Sequence, residues 1–207
     1  MEPFSRLRAV AAPMPGANLD TDQIIPARFL QKPRKLGMGQ YLFNDLRYTD
    51  DGREQADFVL NSPSYRDARI LVAERNFGCG SSREQAVYAL ADFGFRAAVA
   101  PSFGDIFFNN CFKSGLLPIV LAPAAAATLL ALAQNKPGIH FEVDLEAQYI
   151  QARDGPRYRF ELDAFRKHCL LNGVDEISLT LSYRDEIVSF EHDLDVARGW
   201  SLRDGLS

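Results

Sequence analysis

Residues 76–85 read Asn-Phe-Gly-Cys-Gly-Ser-Ser-Arg-Glu-Gln, and they stand between an apolar run and a run of helix-forming residues. This order predicts a strand, a tight turn and the start of a helix. Backbone N–H groups at a helix N-terminus are unpaired, and the helix dipole favours negative charge there. We therefore expect a site for an anion at this turn, with two serine hydroxyls and one arginine beside it.

The same residues also have a purely structural interpretation. Ser81 and Glu84 have the spacing of a capping box, in which Ser81 is the N-cap of the following helix. Gly78 and Gly80 permit a tight turn. A cap requires neither Arg83 nor a second serine, whereas an anion site uses both, and this difference favours the functional interpretation.

The alternation of strand and helix continues around this turn. Strands are predicted at 69–75, 96–100 and 116–121, and helices at 81–93, at 102–115 with Ser102 as its N-cap, and at 123–135. Three repeats of this pattern predict an α/β fold with a small, partly parallel sheet flanked by helices. Such sheets bind ligands at the C-terminal ends of their strands, which is where the glycine–serine turn lies.

The segments on either side complete the predicted domain. They are an opening strand at 4–12 ended by Pro13, a polar loop at 18–26, alternating strands at 140–145, 148–153 and 158–162, a helix at 163–171 between Asp163 and Gly173, and helical spacing over 174–195. We expect one domain over residues 1–190. Residues 191–207 are predicted to be a C-terminal tail, because its final stretch has few packing residues and the composition of a disordered segment.

A basic segment follows the polar loop. Residues 31–39 contain proline, glycine and the cations Lys32, Arg34 and Lys35, which is the composition of a mobile surface loop. Three cations in four positions of an acidic protein are suited to an anionic ligand or an acidic partner.

Composition excludes several functional classes. The 207-residue chain is 47% hydrophobic, which is typical of a globular protein. Its net charge of −4 argues against a nucleic-acid partner, which would require a basic surface. No apolar run approaches the ~20 residues that span a bilayer, and the N-terminus lacks the apolar region of a signal peptide, so we expect a cytoplasmic protein. Cys79, Cys111 and Cys169 form no C-x-x-C pair, and we predict that this chain has no complete metal site of its own.

Three separated motifs carry a family resemblance. Residues 20–26, 76–84, and 109–110 together with 113–118 closely resemble the swivel domain of the aconitase superfamily, and within it the stand-alone small subunits of isopropylmalate isomerases. The resemblance extends over about residues 4–187. It implies an aconitase-like swivelling β/β/α domain, whose sheet is followed by a C-terminal hairpin and helices.

The resemblance also implies roles for individual residues. Ser81 corresponds to the base that takes a proton from a substrate carbon. The residues implied to bind substrate are Ser82, Arg83 and, in the basic loop that discriminates the substrate's side group, Arg34, Lys35 and Leu36. The residues implied to shape the site are Asp20, Thr21, Asp22, Gly78 and Gly80, and of these Asp22 is expected to reach Arg83.

The implied reaction is dehydration and rehydration of an alkylmalate, as in the interconversion of 2-isopropylmalate and 3-isopropylmalate in leucine biosynthesis. The four-iron four-sulfur cluster of the family is held by the large subunit, and one of its irons acts as a Lewis acid on the leaving hydroxyl. We therefore expect a hydro-lyase that is active only with a cluster-bearing large subunit. A related hydro-lyase acting on citramalate, dimethylmalate or homoaconitate is the alternative.

Two further alternatives are weaker. A dinucleotide-binding turn requires a third small residue where Arg83 stands, and a phosphate loop requires G-K-S/T, which is absent. A subunit that has lost catalysis is disfavoured by the intact Ser81 and Arg83. One departure from the family is Gln85, which replaces the usual His and cannot change charge near neutral pH.

Overall fold

The computed structural model describes residues 1–175, 180–181 and 183–197. The chain divides into a compact unit, Met1–Gly173, and a second unit that begins at Val174. The predicted domain boundary at residue 190 falls inside the helix Arg184–Ala197 of the second unit. The division into 1–190 and 191–207 therefore stays a prediction, and residues 198–207 of the predicted tail lie outside the described residues.

The elements are numbered in chain order. The strands are β1 (Arg6–Met14), β2 (Ile70–Ala73), β3 (Ala97–Ala100), β4 (Leu117–Val120), β5 (His140–Asp144), β6 (Tyr149–Ala152) and β7 (Arg157–Arg159). The helices are α1 (Thr21–Ile24), α2 (Asn44–Arg47), α3 (Glu84–Phe93), α4 (Asp105–Lys113), α5 (Pro123–Asn135), α6 (Ala164–Asn172) and α7 (Arg184–Ala197), with short 3-10 segments at Ala27–Phe29, Arg34–Leu36, Met38–Tyr41 and Val59–Asn61. Over the described part of the chain, none of the helices has both the length and the apolar character that crossing a bilayer requires.

The seven strands form one sheet in the order β4-β3-β2-β1-β5-β6-β7. The strands from β1 to β4 are parallel neighbours, whereas β5 runs antiparallel to β1 and continues into β6 and β7. The prediction of a partly parallel sheet is confirmed, and so is the predicted hairpin, now β6–β7. Strand β1 joins the two halves because its first residues pair with β5 and its last residues pair with β2.

Alternate residues of the buried strands face two separate hydrophobic clusters. In β2, Ile70 and Val72 face the cluster that includes residues of α5 and β5, whereas Leu71 and Ala73 face the cluster that includes residues of α3 and α4. All four are almost completely buried. Helices therefore cover both faces of the parallel half, which leaves the ends of its strands as the place for a site.

The predicted end of β1 at Pro13 is wrong, because the strand continues to Met14 and Pro13 pairs with Val72. The N–H of Ala11 points toward the β5 side, where it donates to the carbonyl of Ile139. Residues two apart in a strand point the same way. The backbone nitrogen of Pro13 therefore faces the side of β1 where β5 has already ended. Because no acceptor strand lies there, the missing N–H costs the sheet no hydrogen bond.

Candidate active site

Three loops meet at the C-terminal ends of β1, β2 and β3. The N–H of Gly78 donates to the carbonyl of Leu19 at 2.7 Å, and that of Phe77 donates to the carbonyl of Ser102 at 3.1 Å. The N–H of Gly104 returns a hydrogen bond to Phe77 at 2.9 Å. The glycine–serine turn is therefore held on both sides by backbone hydrogen bonds that extend the parallel pairing beyond the sheet.

The two glycines of the turn both have left-handed backbone angles, with φ of +71° at Gly78 and +94° at Gly80. A Cβ added at Gly78 would overlap the ring of Phe107 on α4, whereas at Gly80 it would meet the Cβ of Asp20 at 3.5 Å. Space and backbone conformation both require glycine at position 78, and conformation alone favours it at position 80. The turn thus passes directly over α4.

Ser81 is held by a buried threonine from the loop after β1. The hydroxyl oxygens of Thr21 and Ser81 are 2.9 Å apart, and the N–H of Ser81 donates to the Thr21 hydroxyl at 3.2 Å. Thr21 is 1% exposed, whereas Ser81 is exposed. Since either hydroxyl can donate, Thr21 is placed to give its proton to the Ser81 oxygen whenever that oxygen has lost its own.

The predicted capping box of Ser81 and Glu84 is wrong. Helix α3 begins at Glu84, its N-cap is Arg83, and no side chain caps it. The hydroxyl of Ser81 is engaged by Thr21, which keeps Ser81 in the turn before the helix. The carboxylate of Glu84 instead accepts a hydrogen bond from the hydroxyl of Tyr88 at 2.6 Å.

A capping box does occur in the polar stretch that was predicted to be a loop. The side chain of Asp20 accepts from the N–H of Gln23 at 2.8 Å, and the side chain of Gln23 accepts from the N–H of Asp20 at 3.0 Å. The spacing Asp-x-x-Gln was visible in the sequence and resembles the Ser/Thr-x-x-Glu/Gln signature. This box defines the start of α1, so it positions Thr21 and Asp22 in the first helical turn.

Arg83 and Asp22 form the expected ion pair between the Nη1 and Oδ1 atoms. The side chain of Arg83 is 20% exposed and that of Asp22 is 56% exposed. A guanidinium carries five N–H donors, and this contact uses one amino group. Arg83 is thereby oriented from one side while further donors remain for a carboxylate.

The turn borders an open cleft of about 330 Å³. Its lining includes Gly78, Gly80 and Ser81 from the turn and Asp105 and Ile106 from the first turn of α4. Ser82 follows directly and is exposed. The cleft therefore places the exposed Ser81 hydroxyl where a small molecule can approach it.

Ser102 was predicted to cap α4, and this prediction is also wrong. The N-cap of α4 is Gly104, which makes no side-chain cap. The hydroxyl of Ser102 instead accepts a hydrogen bond from the N–H of Asn76 at 2.9 Å. Ser102 thus braces the start of the glycine–serine turn.

The basic loop lies against α3. Its residues Arg34–Leu36 form a 3-10 turn. The guanidinium carbon of Arg34 stands 3.8 Å from the ring centroid of Tyr88, and its Nη2 is 3.9 Å from the carboxylate of Asp92. Lys35 is exposed, and Leu36 is 62% exposed. These two contacts of Arg34 tie the loop to α3. They were not predicted from the sequence, although Tyr88 and Asp92 follow Glu84 at helical spacing.

The donor atoms of the described residues do not fit an iron–sulfur cluster. Within that part of the chain, no group of three or more His, Cys, Asp or Glu side chains is placed to hold a metal ion. Burial raises the pKa of the Cys111 thiol well above its usual value, which disfavours a metal-binding thiolate. Cys79 lies in the turn itself, where its thiol donates to the carbonyl of Asn18 at 3.5 Å.

Several known proteins are similar to this chain over most of its length. Residues 1–124 match the family model of the aconitase C-terminal domain, and residues 127–164 match the LeuD_N model. Small subunits of 3-isopropylmalate dehydratase from Cereibacter sphaeroides and Jannaschia sp. are 51% and 54% identical to this chain, each over 97% of it and 100% of its relative. A crystal structure of a 3-isopropylmalate dehydratase from Methanocaldococcus jannaschii has a TM-score of 0.64 at 25% identity, covering 90% of this chain and 99% of that one.

Proposed function

Since the chain belongs to the family of 3-isopropylmalate dehydratase small subunits, we propose that it supplies the proton-accepting side of that enzyme's active site. The dehydratase is a hydro-lyase that interconverts 2-isopropylmalate and 3-isopropylmalate in leucine biosynthesis. The observation that carries the proposal for this site is the pairing of the exposed Ser81 hydroxyl with the buried Thr21 hydroxyl at 2.9 Å, beside the Arg83–Asp22 ion pair.

Ser81 is the proposed base. In the dehydration direction its oxygen takes a proton from one substrate carbon while the adjacent carbon loses its hydroxyl group as hydroxide, which leaves a carbon–carbon double bond. The transferred proton and the hydroxide together make up one water. Rehydration adds the hydroxyl to the carbon that lost the proton and the proton to the carbon that lost the hydroxyl. A serine alkoxide is too basic to persist unless donors stabilise it, and Thr21 and Arg83 are the nearby groups suited to this task.

Arg83 and Ser82 are the proposed ligands of a substrate carboxylate. A guanidinium forms paired hydrogen bonds with a carboxylate, and its contact with Asp22 limits the orientations it can take. Gly78, Gly80 and Asp20 shape the turn that presents these groups. Their part is to hold reacting atoms in place, which is a large source of rate enhancement.

The basic loop is the proposed recognition element for the substrate's side group. Arg34, Lys35 and Leu36 lie in its 3-10 turn, and the exposed apolar side chain of Leu36 suits an isopropyl group. Because Arg34 already contacts Tyr88 and Asp92, we assign the direct contacts to Lys35 and Leu36.

The proposed partner is a large subunit that carries a four-iron four-sulfur cluster. When bound there, the cluster supplies a Lewis acid for the hydroxyl that leaves. The described residues of this chain lack a donor set for it, and their contribution is the base and the carboxylate site. An oxidation-sensitive cofactor and three free cysteines are suited to the reducing cytoplasm, which is the proposed location.

The decisive experiment is anaerobic assay of the chain purified together with a large subunit, using 2-isopropylmalate and other alkylmalates. We expect turnover by the complex and none by either chain alone. Ser81→Ala should lower kcat by about 10²–10⁴, the usual contribution of a positioned base. Ser64→Ala, which changes another exposed serine, serves as the matched control. Near-normal turnover by the Ser81→Ala complex would show that Ser81 is not the base.

A further inference from the structure

Three side chains on α3 form one stripe that leads from the active-site turn to the basic loop. Glu84, Tyr88 and Asp92 are spaced four residues apart, which places them on one face of the helix. Glu84 directly follows Arg83. We refer to these three residues as the α3 stripe.

The far end of the stripe holds the loop by two contacts from one carboxylate. The Oδ2 atom of Asp92 accepts a hydrogen bond from the N–H of Met38 at 2.8 Å, and its Oδ1 atom is 3.9 Å from the guanidinium of Arg34. The side chain of Asp92 is 22% exposed. Because the carboxylate is partly buried, water screens its two contacts less than it would at a fully exposed position.

The middle of the stripe is an aromatic surface with a fixed orientation. The guanidinium of Arg34 stands 3.8 Å from the Tyr88 ring centroid, within the range of a cation–π interaction. The hydroxyl of Tyr88 donates to the Oε2 atom of Glu84 at 2.6 Å, and this hydrogen bond is the main cause of a raised Tyr88 pKa. Glu84 thus orients the ring on which Arg34 rests.

The end of the loop packs directly against the backbone of α3. A Cβ added at Gly39 would lie 2.5 Å from the backbone nitrogen of Phe93, the last residue of α3. The loop is thus held by backbone contact at Gly39, by the side chain of Arg34 and by the backbone N–H of Met38. Lys35 and Leu36, between these points, remain exposed.

We propose that Glu84, Tyr88 and Asp92 are positioning residues that set the substrate selectivity of the enzyme by holding the basic loop at a fixed place relative to Ser81. This inference rests on the proposed function, and it assigns Arg34 the part of an anchor. The loop and the base are then attached to the same helix, one along its face and the other at its start.

The consequence for catalysis is specific. A pocket distinguishes side groups that differ by one methylene by about 10- to 200-fold, provided that its apolar wall is held in place. Release of the loop weakens this discrimination and raises KM for the branched substrate. The base is held by Thr21 and not by the α3 stripe, so kcat should change less than KM.

The first test measures the attachment itself, independently of activity. Trypsin cleaves after Arg34 and Lys35, and cleavage of the intact full-length chain requires the loop to leave α3. In Tyr88→Leu and in Asp92→Asn we expect this cleavage to accelerate by about two- to five-fold, the effect of losing one exposed cation–π contact or its equivalent. Tyr158→Leu, which alters a partly buried tyrosine of β7, is the control for general loosening.

The second test uses the complex with the large subunit and compares kcat/KM for 2-isopropylmalate with that for citramalate, whose side group is smaller. The ratio should fall in Tyr88→Leu and Asp92→Asn through a higher KM for 2-isopropylmalate. Tyr88→Phe retains the ring but loses the hydrogen bond to Glu84, so it should recover only part of the ratio. Unchanged cleavage rates, or faster cleavage with an unchanged ratio, would overturn the inference. Absence of turnover by the wild-type complex would overturn the proposed function and the selectivity role together, while the cleavage rates would still show whether the loop is attached to α3.

Discussion

Replacement of Thr21 with valine removes one hydroxyl from the centre of the proposed site and leaves its shape almost unchanged. That hydroxyl is buried, lies 2.9 Å from the hydroxyl oxygen of Ser81 and accepts the Ser81 N–H at 3.2 Å. Valine has the size of threonine but cannot form either hydrogen bond. The substitution therefore tests whether Thr21 holds the base.

The magnitude follows from these two hydrogen bonds and a third, in which the Thr21 hydroxyl donates to the Ser81 carbonyl at 3.3 Å. Each is expected to contribute about 0.5–1.5 kcal/mol, so the free energy of unfolding should fall by roughly 1.5–4.5 kcal/mol. For a chain of this size, each kcal/mol lowers Tm by about 2–4 °C. If the Ser81 oxygen moves by about 1 Å, kcat should fall about 100-fold. KM should change little because Arg83 and the basic loop keep their own contacts.

The assay combines thermal unfolding of the chain with steady-state kinetics of the complex. Thr21→Ser retains the hydroxyl and should recover most of the lost kcat. Thr128→Val is the matched control, since it removes an exposed hydroxyl on α5 that donates to the Ala124 carbonyl at 2.8 Å. A Thr21→Val complex that loses stability as expected but retains wild-type kcat would refute the argument that Thr21 positions Ser81.

Three further predictions concern other parts of the chain. Gly78→Ala should destabilise the chain by roughly 2–5 kcal/mol in urea unfolding, because it adds left-handed strain and overlap with an α4 ring; a loss below about 1 kcal/mol would contradict this. Iodoacetamide should modify Cys79 before Cys111 in the native protein, because burial raises the pKa of the Cys111 thiol, and equal labelling by mass spectrometry would be evidence against it. The guanidinium of Arg28 lowers the pKa of the Asp45 carboxyl in the folded protein. The ion pair of Arg28 and Asp45 therefore stabilises the fold above the pKa of an unfolded Asp, about 3.9, and this stabilisation is lost as pH falls through the lower folded pKa. The difference in unfolding free energy between wild type and Arg28→Met should therefore shrink between about pH 5 and pH 3, and a constant difference would contradict the assignment.

Local patterns in the sequence were sufficient for the parallel half of the sheet. Strands β2, β3 and β4 each contain a short apolar run, and each is followed by a helix of ordinary composition. Burial on both faces and helical periodicity are properties of neighbouring residues, so they are visible without the fold. The hairpin at 148–159 was equally visible because strand alternation and a turn are local.

The two incorrect helix-cap predictions share one cause. Ser81 and Ser102 both have the residue type and spacing of a helix cap, yet each hydroxyl is engaged by another loop. A side-chain hydroxyl forms whichever hydrogen bond is nearest in space, and tertiary partners compete with the backbone of its own helix. Pro13 remained inside a strand for a similar reason, since the neighbouring strand had already ended on its N–H side.

The sequence by itself determined the alternation of strands and helices, the glycine–serine turn, and the serine, arginine and acidic residues available for chemistry. It did not determine which of them meet. Thr21 and Ser81 are 60 residues apart, and they are neighbours because β1 and β2 pair in parallel and their following loops continue side by side. The same applies to Arg34 and the α3 stripe. Residue type and spacing are local properties, whereas the partner of a hydroxyl or a guanidinium depends on which strands and helices the fold brings together.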